Sequence, residues 1–275
     1  MFKILSKKIL NEHVTMLTLS APFIAKKVQP GQFVIIRIDE KGERIPLTVA
    51  DFDREKGTLT IIFQAVGLTT KKLALLNEGE YLTDCVGPLG QPTEFGQPKK
   101  AIIIGGGVGC AIAYPQAKAL YNMGVDTTVI AGFRSKEIVI LEDEMRKVSN
   151  NYYVTTDDGS YGQKGFVTDV LKSLLGKETY DLVIAIGPIP MMKFVSKVTE
   201  EYGVKTIVSL NPIMIDGTGM CGGCRVHVGG EIKFACVDGP DFDGHKVDYD
   251  ELMRRNGLYR EEEAHACRLE GALGG

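Results

Sequence analysis

The stretch that decides the fold is KKAIIIGGGVGCAIAYPQAKALYNMG, residues 99–124. Residues 101–104 are all apolar, four glycines follow within the next five positions, and a helical pattern begins after them. A strand that is apolar on both faces is typical of a parallel sheet covered by helices. Strand and helix patterns alternate from here to residue 210, with one helix pattern at 137–148. This order predicts an α/β domain with a parallel sheet over residues 98–211.

The residues before this domain have a β pattern. Alternating or β-branched runs are separated by Gly, Asp and Lys turns, and they lie at 13–20, 31–39, 44–52, 57–66 and 78–90. Short strands at this spacing predict a small antiparallel β-barrel over residues 1–97, with one helix at 69–77. The Pro/Gly-rich segment 88–100 is the predicted linker to the α/β domain.

The bulk properties exclude several classes of protein. The chain has 275 residues and a formal net charge of −3. This charge provides no basic field for nucleic acid, and the longest apolar runs are too short to span a membrane. The N-terminus lacks the continuous apolar core of a secretory signal, so we expect a cytoplasmic protein.

The six cysteines are unevenly placed. In a cytoplasmic chain of this size they do not indicate a disulfide framework. Cys85, Cys110 and Cys267 stand alone, and isolated cysteines are mostly buried small apolar residues. We predict that role for these three, whereas the other three cysteines form a group.

The glycine loop between the first α/β strand and its helix is a candidate nucleotide site. Glycines there let a pyrophosphate approach the backbone at a helix N-terminus. The strict dinucleotide fingerprint fails because Cys110 occupies the third glycine position, and the alternative is a tight turn without a ligand. We interpret the loop as nucleotide-binding, with candidate residues Gly105, Gly106, Gly107, Val108 and Gly109.

Two further loops follow strands of the predicted sheet, at the edge where open α/β sheets bind ligands. In the first, at 155–165, Asp157 and Asp158 are candidates for the ribose hydroxyls of the nucleotide. An N-cap or a turn is the alternative for such an acidic pair. The second loop, at 187–193, contributes Gly187 and Pro188.

The segment DGTGMCGGCRVHVGG, residues 216–230, holds two cysteines with metal-ligand spacing. A plant-type [2Fe–2S] cluster has the spacing C-x4-C-x2-C with a distant fourth cysteine. Here Asp216 stands at the first position and is followed by Cys221, Cys224 and, after eleven residues, Cys236. A carboxylate can ligate iron as a hard oxygen donor, so we interpret these four as ligands; an Asx-turn is the alternative for Asp216.

Zinc is the competing metal for this segment. His227 would complete a Cys3His set with the three cysteines. However, it lies on a predicted strand that leads away from the close cysteine pair, in a hairpin that turns at Gly229-Gly230. The spacing therefore favours iron over zinc.

The stretch RIPLT, residues 44–48, resembles the flavin-binding strand of the ferredoxin-NADP reductase superfamily, which combines a small barrel with a nucleotide domain. The resemblance implies that Arg44 meets the FAD pyrophosphate and that Thr48 lies by the isoalloxazine, with Pro46 and Leu47 between them. A second phosphate loop of that family is similar to AVGLTTKKL and implies contacts from Gly67, Thr69 and Thr70. The family often has a cysteine near the nicotinamide, and here that position is Ile186.

The whole chain resembles two related groups of electron-transfer subunits. The order of FAD barrel, nucleotide domain and [2Fe–2S] segment is similar to the dihydroorotate dehydrogenase electron-transfer subunit. Asp216 and the C-terminal tail are similar to the small (alpha) subunit of NADH-dependent reduced ferredoxin:NADP oxidoreductases, which bifurcate electrons. The resemblance implies an oxidoreductase subunit with FAD, a [2Fe–2S] cluster and NAD(H), in a heterodimer with a larger iron–sulfur flavoprotein. It implies electron transfer from NADH without a catalytic nucleophile or acid–base residue.

These interpretations divide the chain into an FAD barrel at 1–97, an NAD(P) domain at 98–211, a cluster segment at 212–240 and a helical tail at 241–275 that contacts the partner subunit. The alternatives are a dihydroorotate dehydrogenase electron-transfer subunit, a stand-alone NAD(P)H flavin reductase with structural zinc, and a regulatory or assembly module with a vestigial nucleotide loop.

Overall fold

The computed structural model describes residues 1–259, 261, 262, 264, 265 and 268. Within them the chain forms a seven-stranded antiparallel sheet, a seven-stranded mainly parallel sheet and a two-stranded hairpin. No helix in these residues has both the length and the apolar composition needed to cross a bilayer. Our predictions for Cys267 and for the end of the tail lie outside the described residues.

The N-terminal sheet is the predicted antiparallel barrel, and it is nearly closed. Its strands follow the order β6-β1-β2-β5-β4-β3-β7. Alternate side chains along the strands point inward, and fully buried Leu17, Leu59 and Ile61 fill the interior. The elements are β1 (Phe2–Asn11), β2 (Val14–Ser20), α1 (Pro22–Ala25), β3 (Phe33–Arg37), β4 (Ile45–Asp53), β5 (Thr58–Gln64), α2 (Leu68–Leu75), β6 (Tyr81–Leu82) and β7 (Asp84–Leu89).

The second sheet is the predicted parallel sheet with helices. Its elements are β8 (Lys100–Gly106), α3 (Cys110–Asn122), β9 (Asp126–Phe133), α4 (Glu142–Lys147), β10 (Asn151–Thr156), β11 (Gln163–Lys164), α5 (Val167–Leu175), β12 (Leu182–Ile186), α6 (Ile189–Glu201) and β13 (Thr206–Ser209). Strand β8 lies in the centre, between β9 and β12. Residues 101–104 of β8 have no exposed surface, which explains why these four residues are all apolar.

The helix predicted at 137–148 is wrong in its first half. Residues 136–138 form a single 3-10 turn, and α4 begins only at Glu142. Between them the chain turns inward to bury Ile140 and Leu141, and Leu141 takes a left-handed φ of 57°. A continuous helix cannot contain that conformation, so burial of the two side chains outweighs the local helical pattern.

The C-terminal part packs back on the α/β domain. A hairpin of β14 (Arg225–Val228) and β15 (Glu231–Phe234) is followed by β16 (Asp241–Asp243) and α7 (Tyr249–Asn256). Strand β16 pairs antiparallel with β13 and becomes the last strand of the parallel sheet. Residues 241–243, which we expected in a helical tail, therefore form a strand, because their backbone completes the open edge of β13.

A buried polar cluster joins the linker, the α/β domain and the C-terminal part. The Oγ1 of Thr93 donates to Oδ2 of Asp241 at 2.5 Å, and Nε2 of Gln116 donates to the same Thr93 oxygen at 2.6 Å. Oδ1 of Asp241 and Oε1 of Gln116 have no hydrogen-bond partner among the described residues. Burial raises the pKa of Asp241, and the hydrogen bonds from Ser209, Thr93 and Gln116 oppose that rise.

This cluster predicts a pH-dependent stability. A carboxyl group whose folded-state pKa is raised stabilises the fold fully below its unfolded pKa, and that contribution is lost as the pH rises through the folded-state pKa. We expect Asp241→Asn to match the wild type in acid and to be more stable at neutral pH. Asn cannot ionise, so the variant avoids the cost of a buried charge. The neutral-pH melting temperature should therefore rise by ~2 °C or more, which corresponds to about 1 kcal/mol.

Thermal unfolding of the protein with its cofactors, followed by circular dichroism across the pH range, measures this effect. Asp243→Asn is the matched control, since that side chain is exposed on the same strand. An equal change in both variants, or a less stable Asp241→Asn at neutral pH, contradicts the expectation.

Candidate functional site

The glycine loop lies at the carboxyl end of the central strand. Strand β8 ends at Gly106, a 3-10 turn covers Gly107–Gly109, and α3 begins at Cys110. A Cβ atom at Gly109 would lie 2.4 Å from the carbonyl oxygen of Ile186, and one at Gly106 would lie 2.5 Å from Sδ of Met191. A side chain is therefore excluded at Gly109 by the backbone of the neighbouring segment, whereas one at Gly106 would have to displace the Met191 side chain of α6.

The neighbouring segment includes the loop predicted at 187–193. Gly187 follows β12, its Cα lies 2.8 Å from the position of a Gly109 Cβ, and Pro188 precedes α6. The structure thus brings the two predicted nucleotide loops together. They meet where β8 has β9 on one side and β12 on the other, which is the switch point where such sheets bind ligands.

The acidic pair lies farther along the same edge of the sheet. Asp157 follows β10, which is separated from β8 by β9 and so lies roughly 10 Å away. Asp158 forms a turn: its Oδ1 accepts the backbone N–H of Ser160 at 2.9 Å and the hydroxyl of Ser160 at 2.7 Å. These bonds lower the pKa of Asp158. Among the described residues no such turn bond is found for Asp157. Its assignment to the ligand edge depends only on its position after β10.

Cys110 replaces the third glycine of the fingerprint for a packing reason. A Cβ at Gly105 would lie 2.7 Å from Sγ of Cys110, so the thiol packs directly on the glycine backbone. Cys110 and Cys85 are both buried, as predicted for isolated cysteines. Close packing between the strand and the helix start therefore depends on the glycine at position 105, and a cysteine is accommodated at 110.

Four residues of the RIPLT stretch, Ile45 to Thr48, form the first part of β4. Pro46, Leu47 and Thr48 pair with β3, whereas β4 pairs with β5 only from Val49 onward. The first part of β4 is therefore a local sheet edge, which tolerates a proline without a backbone N–H. An open backbone edge at this point leaves room for a ligand beside Thr48, which is half-buried.

The second predicted FAD loop begins α2 and contacts the start of β4. Oγ1 of Thr70 accepts the N–H of Gly67 at 3.0 Å, as a side chain does in a helix cap. The hydroxyl of Thr69 donates to Oε2 of Glu43 at 2.6 Å. Because Glu43 precedes Arg44, the two stretches implied in FAD binding lie side by side.

Arg44 has partners that the sequence did not reveal. Its Nε donates to the carbonyl oxygen of Ile215 at 3.1 Å, and its Nη2 donates to that of Asp216 at 3.4 Å. A guanidinium has five N–H donors, so three remain for an anion such as a diphosphate. The contact joins positions about 170 residues apart, and no local pattern could have predicted it.

The hairpin register brings two of the cysteines together. Arg225 pairs with Phe234, so Cys224 and Cys236 lie at the open end of the hairpin, opposite the Gly229-Gly230 turn. Their Sγ atoms are 3.2 Å apart, and both side chains are buried. This distance is a thiol contact and is well beyond the ~2.05 Å length of a disulfide bond.

The loop before the hairpin wraps around this thiol pair. Gly217, Gly219 and Gly222 have positive φ values of 77°, 83° and 67°, which side chains rarely adopt. A Cβ at Gly217 would lie 2.6 Å from Cδ1 of Ile35, so the loop packs tightly on the barrel. The backbone N–H of Gly219 is directed to the thiol of Cys236.

Asp216 organises the same loop. Its Oδ1 accepts the N–H of Thr218 and its Oδ2 accepts the N–H of Cys221, both at 2.9 Å. These bonds lower the pKa of Asp216, the Thr218 bond most of all. The Asx-turn considered from the sequence is therefore present. A carboxylate has about four lone-pair sites, so accepting two N–H bonds leaves capacity for a metal.

The four proposed ligands lie in one segment, but they do not converge to a closed set. Cys221 is exposed, and no three His, Cys, Asp or Glu side chains within the described residues are arranged to hold a metal ion. The donor chemistry nevertheless fits an iron–sulfur cluster: three thiols, one carboxylate and a glycine-rich loop beside them. His227 does not fit a zinc set, because its Nδ1 contacts Oε2 of Glu251 on α7.

The buried, isolated cysteines Cys85 and Cys110 give a test of how the barrel and the α/β domain are packed. Burial raises the pKa of both Cys85 and Cys110 to about 12, so almost no thiolate exists at neutral pH. We expect both to resist iodoacetamide at pH 7 in the native protein and to react fully after denaturation, as measured by peptide mass spectrometry. Labelling of either thiol in the native protein at the rate of a free exposed cysteine would show that the packing is wrong.

The comparisons with known proteins agree with this geometry. Residues 211–248 match the family model of the iron-sulfur cluster binding domain of dihydroorotate dehydrogenase B. A Clostridium beijerinckii protein, described only as lying in the adh 3′ region, is 55% identical over 97% of this chain and 93% of its own length. A Thermotoga maritima homologue of the dihydroorotate dehydrogenase B electron transfer subunit is 49% identical over 95% of this chain and 92% of its own.

A solved structure covers nearly the whole chain. It is a chain of the NADH-dependent reduced ferredoxin-NADP oxidoreductase, studied for flavin-based electron bifurcation. It has a TM-score of 0.92 and 48% identity, and the match covers 97% of this chain and 96% of that one. Ferredoxin and cytochrome reductases at 17–18% identity share the fold alone, with TM-scores of 0.59–0.62. The predicted ferredoxin-NADP reductase-like fold is confirmed, and the chain belongs to the family of dihydroorotate dehydrogenase B electron transfer subunits and their homologues, which are flavin and iron–sulfur oxidoreductase subunits.

Proposed function

We propose that this chain is the NADH-oxidising subunit of a cytoplasmic heterodimer whose larger iron–sulfur flavoprotein handles NADP and ferredoxin. The observation that carries the proposal is the contact of Arg44 with the backbone of Ile215 and Asp216. It places the flavin-type strand directly against the loop of the proposed cluster ligands. A flavin site and a metal segment in contact would form a path for electrons.

The nucleotide would lie across the carboxyl ends of β8 and β12. The 3-10 turn Gly107–Gly109 leads directly into α3 and would present the positive end of the helix to the pyrophosphate. The glycines at 105–107 and 109 allow its close approach, and Gly187 and Pro188 form the opposite wall. Asp157, on the far side of β9, would bind a ribose hydroxyl.

FAD would lie along the open edge of β4. Arg44 provides the permanent cation for the diphosphate through its remaining donors, and the start of α2 at Gly67 provides backbone N–H groups. Thr48 provides a hydroxyl at the flavin end of the strand. When bound, FAD supplies the exchange between two-electron and one-electron transfer, and the protein fixes its position and electrostatics.

The cluster would be held by Asp216, Cys221, Cys224 and Cys236. The contact between Cys224 and Cys236 provides one half of such a site, and the Asp216 loop provides the other. We assign the [2Fe–2S] type because the ligand spacing is the plant-type spacing with aspartate in the first place. Backbone N–H groups of the loop glycines would bond the sulfur atoms and tune the potential.

The partner subunit would approach the exposed rim of the same segment. Met220 is 89% exposed, Ile215 53% and Val237 40%, and each is next in sequence to a proposed ligand. Exposed apolar patches with a polar surround often mark protein interfaces. Electrons would leave the chain over this rim, where the loop around Cys221 is most accessible.

A second candidate is electron transfer to a dihydroorotate-oxidising subunit. The family model matched at 211–248 and the Thermotoga maritima homologue carry that description. Affinity purification of the tagged chain under anaerobic conditions distinguishes the two. Co-purification of a large iron–sulfur flavoprotein supports the proposal, and co-purification of a dihydroorotate oxidase supports the second candidate.

The ligand assignment is tested by Asp216→Cys. Replacing an oxygen ligand by a thiolate changes the charge and covalency at one iron. We therefore expect an altered EPR spectrum and a midpoint potential shifted by tens of millivolts or more. Thr218→Cys adds a thiol to the same exposed loop and should leave both unchanged. An unaltered spectrum and potential in Asp216→Cys would rule out Asp216 as a ligand.

The nucleotide site is tested by Gly109→Ala. The added Cβ would meet the carbonyl oxygen of Ile186 at 2.4 Å and force the two loops apart. Overpacking of this kind costs about 1–3 kcal/mol, so we expect the Kd for NADH to rise about tenfold or more with the flavin content unchanged. Gly176→Ala, at the exposed end of α5, is the control. Equal NADH affinity in both variants would place the nucleotide elsewhere.

A further inference from the structure

Helix α7 is hydrogen-bonded to the proposed cluster segment at several points. Nδ2 of Asn256 donates to the carbonyl oxygen of Asn211 at 3.0 Å, where the segment begins. Nη2 of Arg255 donates to the carbonyl oxygen of Gly223 at 3.3 Å. The N–H of Asp248, which caps the helix, donates to the carbonyl oxygen of His227 at 3.0 Å. The helix thus contacts the start, the middle and the hairpin of the segment.

The bond from Arg255 reaches the most sensitive part of that segment. Gly223 lies between the proposed ligands Cys221 and Cys224, and a Cβ at Gly223 would lie 3.6 Å from Sγ of Cys221. The carbonyl group that accepts the Arg255 bond therefore belongs to the turn that carries both thiols. Arg255 is half-buried, and its guanidinium is always charged.

The neighbouring residue provides a natural contrast. Arg254 has the same charge and lies on the same helix, but it is exposed and faces a cleft of about 440 Å³ with His227, Lys246, Asp248 and Glu251. Only Arg255 of the two contacts the cysteine turn among the described hydrogen bonds. The two adjacent arginines therefore have the same charge but differ in their contact with the cysteine turn.

We propose that Arg255 is a positioning residue of the iron–sulfur cluster, which holds the Cys221–Cys224 turn and raises the cluster's reduction potential. The proposal rests on the function proposed above. Reduction adds one electron, and hence one negative charge, to the cluster. A fixed cation nearby stabilises the reduced form more than the oxidised form. The half-buried position of Arg255 limits solvent screening of this effect.

Redox titration of the purified protein followed by EPR tests the proposal. We expect Arg255→Gln to decrease the ratio of reduced to oxidised cluster at a fixed potential by threefold to tenfold, where tenfold equals about 59 mV for a one-electron couple. Arg254→Gln, with the same loss of charge, should change the ratio by much less. Arg255→Lys keeps the charge and should restore most of the potential, with an EPR line shape altered by the lost hydrogen-bond geometry.

The outcomes separate the proposal from its premise. Iron and sulfide in the wild type establish the cluster, and their absence would overturn the proposed function. Where the wild type holds the cluster, equal shifts in Arg255→Gln and Arg254→Gln, or no shift in either, would overturn the role of Arg255. Should Arg255→Gln lose its cluster entirely, the ratio of reduced to oxidised cluster in Arg255→Lys at a fixed potential decides: a wild-type ratio supports the charge effect, and a tenfold decrease contradicts it.

Discussion

The contact of Arg44 with the backbone of Ile215 and Asp216 joins the N-terminal barrel to the cysteine segment. One side of the contact is the barrel strand that carries RIPLT, and the other is the loop that begins the cysteine segment. Gly217 strengthens the connection, because its missing side chain lets the loop pack against Ile35 in the barrel. This approach holds the proposed flavin and cluster sites at a fixed distance, which electron transfer needs.

The buried cluster of Thr93, Gln116 and Asp241 makes a second connection, between the linker, the α/β domain and the C-terminal part. Thr93 comes from the linker, Gln116 from the helix that begins at the glycine loop, and Asp241 from the strand that follows the cysteines. Gln116 and Asp241 thus link the helix of the proposed nucleotide site to the strand that follows the proposed cluster ligands. The two connections together explain how three functional segments with few direct contacts keep one arrangement.

The sequence predicted much of this architecture because its signals are local. The wholly apolar β8, the glycine loop and the Gly229-Gly230 hairpin each follow from neighbouring residues, and the fold confirms the barrel and the parallel sheet. The helix at 137–148 was wrong because burial of Ile140 and Leu141 outweighs helical periodicity. The strand at 241–243, the contacts of Arg44 and the contacts of α7 were missed because they depend on positions far apart in the chain. Asp216 was recognised only by counting, and its role as ligand stays a prediction.

Opposite charges surround the proposed cluster in this picture. The carboxylate of Asp216 adds negative charge at one end of the loop, whereas Arg44 and Arg255 bond carbonyl groups at its two ends. Charge and hydrogen bonds at the sulfur atoms set the potentials of such clusters over a wide range. The loop would thus tune its potential by residues from the barrel and the C-terminal helix as well as by its own ligands.

The central claim is that one chain holds a flavin and an iron–sulfur cluster in contact. Flavin, iron, zinc and acid-labile sulfide, measured together in protein purified without oxygen, test it most directly. The account predicts about one flavin, two irons and two sulfides per chain, without zinc. Zinc with neither iron nor sulfide would contradict it, and would identify the cysteine segment as a structural metal site.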